Sequence, residues 1–446
     1  MASSLIEDIR FGYGPRGGTA PLPGGYDADR LMAQLAPPDP DDARWHRPTL
    51  AERLALQRQA RDDAAARRAG QAVAATAGPE LKRITAEDPL TWIPRAATAT
   101  RGFRERLANL WANRLTVAFG PAAMAHLVQP FRDEAIRPHV AGRFPDMLAA
   151  SVFHPAMLVY LDQVRSVGPH SVLGQRRGQG LNENLARELL ELHSMGTGYD
   201  QRDVTETARL LAGLTAGPDG TAFDPDRAEP GDKRILGVTY GEGEDEIRRL
   251  VADIAMRSQT ADSVARMLAG HFLSDNPPAD LVQAMAAEYL RGEGALPPLY
   301  RLLLTHPAAR AAELAKVRSP HEYIVATLRA LDMTGQEAGV GAIPKVGLRV
   351  AEAMARLGQP IHRPRQPDGW PDTAGGWLSA PMLAARLDWA VELARRTPPV
   401  DDPGALAERM LGDLAGGPET AQAVRGAEQR WEGVAVLFAA PAFMRR

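Results

Sequence analysis

The stretch Leu181-Asn-Glu-Asn-Leu-Ala-Arg-Glu-Leu-Leu-Glu-Leu-His-Ser-Met-Gly196 has the pattern of a capped amphipathic helix. Asn182 is suited to the N-cap and Gly196 to the residue just past the C-terminus, which leaves about three to four helical turns between them. Leu185, Leu189 and Leu192 fall on one face. Asn184, Arg187, Glu188 and Glu191 recur at i, i+3, i+4 and i+7 and fall on another. His193 is expected beside the acidic stripe, nearer Leu189 and Leu190 than above Glu191.

The same period extends outward in both directions. Phe103, Leu107, Leu110, Trp111 and Leu115 form one apolar stripe, and Met147, Leu148, Val152 and Phe153 form another. Thr49-Leu-Ala-Glu52 reads as a capping box opening a long Ala/Arg-rich helix to about Ala77, its far half solvated. Further helices are predicted over 246–257, 261–272, 278–290, 299–304, 320–331, 380–395, 404–414, 418–430 and 431–440. Asp203 and Glu206 read as another capping box. Strand-like pieces are confined to Thr221–Phe223 and Ile235–Tyr240, which are predicted to pair as one hairpin. The expected fold is all-α: a multi-helix bundle with long Gly/Pro-rich loops and at most a small β-hairpin. The expected organisation is a loop-rich segment 1–48, a central helical domain 49–216 with the Asn182–His193 helix, a loop or hairpin excursion 217–244, and a C-terminal helical domain 245–446. A length of 446 residues is more than one core usually holds.

Composition narrows the function. With 52 basic against 55 acidic residues and a net charge of −3, there is no electrostatic case for nucleic acid. The absence of cysteine excludes disulfides, thiolate catalysis and iron–sulfur ligation, so a metal site has to use His, Asp, Glu or other oxygen ligands. The start of the chain shows no basic region followed by an apolar one, and no stretch reaches the roughly 18 apolar residues of a membrane span. The expected location is cytoplasmic, with export alongside a partner left open.

The candidate chemistry is a carboxylate–histidine site. Glu188 and Glu191 with His154 and His193 are the candidate catalytic set, and Glu188, Glu191, His139 and His154 the candidate ligands of a divalent metal. Helical bundles that hold two irons use Glu-x-x-His, whereas this helix has Glu-x-x-Glu and Glu-x-His. The alternative is that Glu183, Arg187 and Glu191 are ordinary i, i+4 pairs. His154 precedes Pro155 and is expected at a helix N-cap, where it serves either as a cap or as a base. Trp370 and Trp377 sit on a loop and either line a cleft or pack on the bundle. No phosphate-binding glycine loop, nucleophile elbow or His-Glu-x-x-His is present.

Several segments resemble a known family. They are Ile136-Arg-Pro-His139, His154-Pro-Ala-Met-Leu-x-Tyr-Leu-Asp162, Asn182-Glu-Asn-x-x-Arg-Glu-x-x-Glu-Leu-His193, Gly196-x-Gly-Tyr, Lys233-x-Ile-Leu-Gly237, His271-Phe-Leu-Ser-Asp-Asn-Pro-Pro278, Gly369-Trp-Pro…Trp377-Leu-Ser and Ala440-Pro-Ala-Phe-Met-Arg-Arg446. Together they look like the bacterial family called domain of unknown function 1800. The resemblance implies a helical protein of no settled activity. Members often accompany a second family, domain of unknown function 1501, that resembles sulfatases and alkaline phosphatases and is typically exported by the twin-arginine route. This chain carries Arg114 in Trp111-Ala-Asn-Arg-Leu115 where the family usually has histidine, and Ala228 where a loop histidine is common. Two functions follow as expectations: an accessory or binding partner of a sulfatase- or phosphatase-like protein, and a carboxylate–histidine enzyme, hydrolase or oxidoreductase, with a possible divalent metal.

Overall fold

The computed structural model describes residues 4–19, 24–119, 122–333 and 343–446, so the first residues and 20–23 of the loop-rich beginning lie outside it. The fold is all-α, as the periodicity predicts: helices of modest length joined by loops, with two small antiparallel hairpins among the described residues. Among those residues no helix is long and apolar enough to cross a membrane.

Apolar side chains gather into two main cores. The larger runs from Phe11 to Ala309, with Phe103, Leu107 and Trp111 packed against Ile136, Phe144, Leu148, Leu189 and Leu303. Trp111 lies at its centre, and its indole N–H donates to the Tyr300 hydroxyl at 2.9 Å, which in turn donates to the Val140 carbonyl at 3.0 Å. A buried indole with no partner would be costly, so this chain of bonds is what lets a tryptophan occupy the core. The second core joins Tyr323–Leu328 to Met354, Trp389, Leu393, Leu406, Phe438 and Phe443, and recruits Tyr13, Ile93, Ala96 and Ala97 from the other end of the chain. Buried Arg10 adds a tie, donating to the carbonyls of Ala309 at 2.8 Å and Ala311 at 2.9 Å.

Local signals hold in part. Thr49 and Glu52 form the expected capping box, but the helix is Leu50–Arg68 rather than reaching Ala77; Gly70 then adopts φ +81° and a new helix begins at Ala77. Only Arg53 and Leu54 of that helix are buried, and Arg53 is held by Asp88 through two hydrogen bonds, of 2.5 and 3.1 Å. The box predicted at Asp203 and Glu206 is instead formed by Asp200 and Asp203, three residues earlier. The predicted hairpin is two hairpins: Leu214–Gly217 pairs with Gly220–Phe223, and Lys233–Ile235 with Val238–Tyr240. Each strand pairs with its neighbour across a tight turn, which costs less loop entropy than the longer closure expected.

Candidate functional site

The Asn182–His193 segment starts one residue later than expected, with Glu183 rather than Asn182 at the N-cap, and also ends differently. The Asn182 amide oxygen accepts from Asn184 N at 2.9 Å, and the helix Asn184–Glu188 passes into a wider π-turn over Leu189–His193. Gly196 closes it at φ +74°, donating to the Leu190 carbonyl at 3.0 Å. The wider turn buries His193 with Leu189 and Leu190, while Glu191 is exposed and Glu188 half-buried. Both ring nitrogens of His193 lack a hydrogen-bond partner among the described residues. Burial, followed by the nearby Arg114 charge, pushes its pKa down to about 3. Arg114 donates to the Ser194 carbonyl at 3.1 Å and to the Ser263 hydroxyl at 2.5 Å.

The other candidates lie in separate surroundings. His154 caps its helix by accepting from Ala156 N at 3.1 Å, and its ring stands edge-on to Phe131, with burial lowering its pKa to about 4. His139 is half-buried, its pKa lowered by burial against an opposing Asp146. Burial raises the Glu188 pKa, helped by Glu191 and Asp368. Glu183 is bonded to Arg187, Gln201 and Thr205; of the two i, i+4 pairs that the sequence allowed, Glu183–Arg187 forms, and Arg187–Glu191 is not among the ion pairs of the described residues. Among the described residues no three His, Asp or Glu side chains are grouped to hold a metal ion, so Glu188, Glu191, His139 and His154 are not gathered as one ligand set.

Polar groups converge elsewhere, in a cavity of about 90 Å³ where the two cores meet. A water molecule needs about 10–15 Å³ by this measure, so the space admits a small ligand. None of Glu188, Glu191, His139, His154 and His193 lines it. The helix Gly102–Arg114 supplies Arg106, Asn109 and Asn113, at i, i+3 and i+7, while its other face fills the core. The helix Pro320–Ala330, opened by the Ser319–Glu322 capping box, presents His321 and Glu322 in its first turn. His271 comes from the end of the helix Ser258–Phe272, Arg132 from the π-turn Phe131–Ile136, and His362, Trp370 and Asp372 from the loop beyond Gly358. An outer cleft of about 600 Å³ shares Leu110, Asn113, Trp370, Pro371 and Asp372 with the cavity, and Trp377 lines it too. The two loop tryptophans therefore line a cleft, one of the two alternatives the sequence left open.

Hydrogen-bond accounting divides the lining into two sets. The first is bonded together, with Arg106 Nε as its one buried atom lacking a partner among the described residues. His271 Nδ1 lies 3.0 Å from Asp372 Oδ1, and its Nε2 lies 3.0 Å from Arg106 Nη2. A guanidinium only donates, so Nε2 is the acceptor and the ring proton belongs on Nδ1, facing the carboxylate. Arg106 also donates to Glu322 Oε1 at 2.7 Å and to the carbonyls of Arg10 and Gly12. Glu322 Oε2 accepts from Arg446 Nε at 2.9 Å and from Ser319 N at 2.9 Å. Burial lowers the His271 pKa to about 4, against the opposing pull of Asp372. Burial works to raise Asp372, yet His271, Arg446 and Lys316 hold it at about 2.

The second set is unsaturated and surrounds Trp92. His321 stacks on the indole with centroids 4.1 Å apart; His362 lies 5.0 Å from it and stacks in turn on Phe119. Neither imidazole makes a hydrogen bond to a described residue, and the Nε2 of each is buried without a partner among them. Burial lowers the His321 pKa to about 3, with Glu322 and Glu105 opposing, and drives His362 well below its usual range, aided by Arg132 and His321. Arg132 places its guanidinium 5.7 Å over Trp92 and donates one hydrogen bond, to Asn109 Oδ1 at 2.6 Å. Burial, then Arg137, lowers its pKa to about 10. The lone histidines at 321 and 362 and the arginines at 106 and 132 carry no local spacing that sets them apart; of this site, the sequence motifs singled out only His271 and the Gly369–Trp377 loop.

No curated protein and no solved structure matches the chain. A family model matches residues 9–445, nearly the whole length, and the chain therefore belongs to the family described as Protein of unknown function (DUF1800).

Proposed function

We propose that this protein is an enzyme that acts on a small polar molecule by proton transfer in the cavity where its two cores meet, with His321 and His362 as the proton-handling groups and Arg132 as a fixed cation. The single observation behind this reading is the contrast between the two sets of lining residues. His271, Asp372, Arg106 and Glu322 bond or ion-pair with one another, with Arg106 Nε their one buried atom lacking a partner among the described residues, whereas the two imidazoles make no hydrogen bond to a described residue and the partly exposed Arg132 guanidinium makes one. A buried polar atom left unpaired costs about 1–3 kcal/mol, so a protein built only to fold or to dock gains by replacing it. His154 and His193 also carry unpartnered buried nitrogens, but those of His321 and His362 belong to a cavity wall, where a substrate can engage them.

The bonding pattern of the lining also separates the residues by role. A general base needs a free lone pair within hydrogen-bond reach of its proton. His271 has none, because Arg106 occupies its acceptor nitrogen. It holds the wall and positions Asp372. His321 and His362 are neutral around pH 7, so each has a lone pair to offer. An accessory role beside a sulfatase-like protein calls for no such groups.

The test is substrate discovery without a prior guess. A small-molecule cell extract is incubated with the full chain, with His321→Gln and with His362→Gln, with and without added divalent cations, and read by mass spectrometry. The expected result is at least one metabolite consumed by the native chain and spared by both variants. Identical profiles for all three proteins would overturn the reading.

A further inference from the structure

We propose that Arg132, His321 and His362 form the seat for the carboxylate of a small organic acid, whose remaining atoms extend toward Trp370. The inference rests on the reading of this cavity as a ligand site, and it names the class of ligand.

Arg132 carries the argument. Its guanidinium has five N–H donors, and one bond, to Asn109, is its hydrogen bond to the described residues. The neighbouring carboxylates face other groups, although Asp133 Oδ1 accepts no hydrogen bond from a described residue. Glu105 receives both Nη atoms of Arg137, at 2.7 and 2.8 Å, and Asp133 lies 3.3 Å from Arg137 Nε and accepts from Gln129 at 2.8 Å. The two carboxylates that line the cavity, Glu322 and Asp372, are committed to Arg106, Arg446, His271 and Lys316. Among the described residues Arg132 has no ion-pair partner, and its side chain is only partly buried, so its free N–H groups stay open to a ligand.

The chemistry of the missing partner follows from charge, shape and size. One unpaired cation matches a monoanion; a phosphate dianion asks for two or more. The planar fork of a guanidinium fits a carboxylate through two parallel N–H bonds. Two neutral imidazoles beside it each offer one N–H, enough to complete the remaining lone pairs. About 90 Å³ holds a carboxylate with a few further heavy atoms, and the cleft of about 600 Å³ across the Trp370–Asp372 segment gives room for a longer body.

A proton linkage comes with this seat. His321 is faced by Glu322, Glu105, Arg132, Arg106 and Tyr13, and His362 by Arg132 and His321, with uncharged Trp92 and Phe119 packed on their rings. Adding an anion raises both imidazole pKa values from below their ordinary range. Binding then takes up protons, and affinity increases as pH falls from 7.5 to 5.5, by at most about tenfold per pH unit for each proton taken up.

The experiment uses the full chain with acetate, glycolate and succinate as probes, and glycolamide and inorganic phosphate as controls, each at pH 5.5, 6.5 and 7.5. Thermal shift reads binding, and calorimetry in two buffers of different ionisation enthalpy counts protons. Carboxylates are expected to raise the midpoint, most strongly at pH 5.5, while glycolamide does not, and Arg132→Gln weakens binding at least tenfold. His362→Gln, which keeps the cation, is expected to bind with a flatter pH dependence; it decides the matter should Arg132→Gln fail to fold. Stabilisation by phosphate alone would overturn the carboxylate seat and leave the cavity reading standing. Carboxylate binding that is unchanged in both variants would overturn the location. No response to any probe, while the extract still loses a metabolite, would reject this ligand class and not the enzyme. No response in either experiment rejects both.

Discussion

Arg106 Nη2 lies 3.0 Å from His271 Nε2 and also donates to Glu322 at 2.7 Å, so one guanidinium joins the end of the Ser258–Phe272 helix to the start of the Pro320–Ala330 helix. These helices belong to different apolar cores, and the arginine is itself fully buried.

Arg106→Met is therefore expected to cost about 3–5 kcal/mol, because it leaves Glu322 buried with one cation fewer and His271 with an empty acceptor. Arg266→Met, which breaks the exposed Arg266–Asp262 pair of 3.0 Å, is expected to cost less than about 1 kcal/mol. Urea unfolding of the two variants checks the contrast; equal losses would show that the buried junction carries no special weight.

Acid should unfold the protein from an unusually high pH. His154 and His271 are lowered to about 4, and His193 and His321 to about 3, against an unfolded value of 6.5. Between those limits the unfolded chain binds more protons than the folded one. The stability is thus fully present above about pH 6.5 and is lost as pH falls toward 4 and 3, by up to about 1.4 kcal/mol per pH unit for each histidine. The midpoint of thermal unfolding followed from pH 7.5 to 4.5 is expected to fall steeply, and a flat profile would contradict the assigned neutral state.

His193→Leu isolates one of these terms. The ring is buried with both nitrogens unpaired among the described residues, so an apolar residue of similar size removes an unmet hydrogen-bonding demand. The variant is expected to be as stable as the native chain or more stable by about 1–3 kcal/mol, with a shallower loss in acid. A marked loss of stability at pH 7.5 would mean that His193 has a partner that the fold conceals.

Gly369→Ala tests the seam between the loop and the Gly102–Arg114 helix. Gly369 has φ +79°, and an added Cβ would lie 2.5 Å from the Asn113 carbonyl oxygen and 2.6 Å from Thr116 Oγ1. The close approach lets Trp370 N donate to Asn113 Oδ1 at 2.8 Å while the Asn113 amide donates back at 2.9 Å. Gly70→Ala, at φ +81° with open space around it, carries only the backbone penalty of about 1 kcal/mol. Gly369→Ala is expected to cost about 1–3 kcal/mol more and to weaken ligand binding, since Trp370 lines the cavity. Equal melting points for the two variants would refute the packing argument.

The amino-acid order alone determined the all-α class, the Thr49–Glu52 cap and the His154 cap, because capping and helical periodicity act between residues a few positions apart. It also marked His271 and the Gly369–Trp377 loop as distinctive. Pairing at the hairpins and the π-turn that buries His193 went unread, since each depends on competition between nearly equal local options. The cavity belongs wholly to the tertiary structure. Trp92, Arg106, Arg132, His321 and His362 meet across more than half of the chain, and which of them is left unpaired depends on partners contributed by segments as distant as Arg10 and Arg446. Hydrogen-bond saturation is a property of three-dimensional neighbours, and no local spacing encodes it.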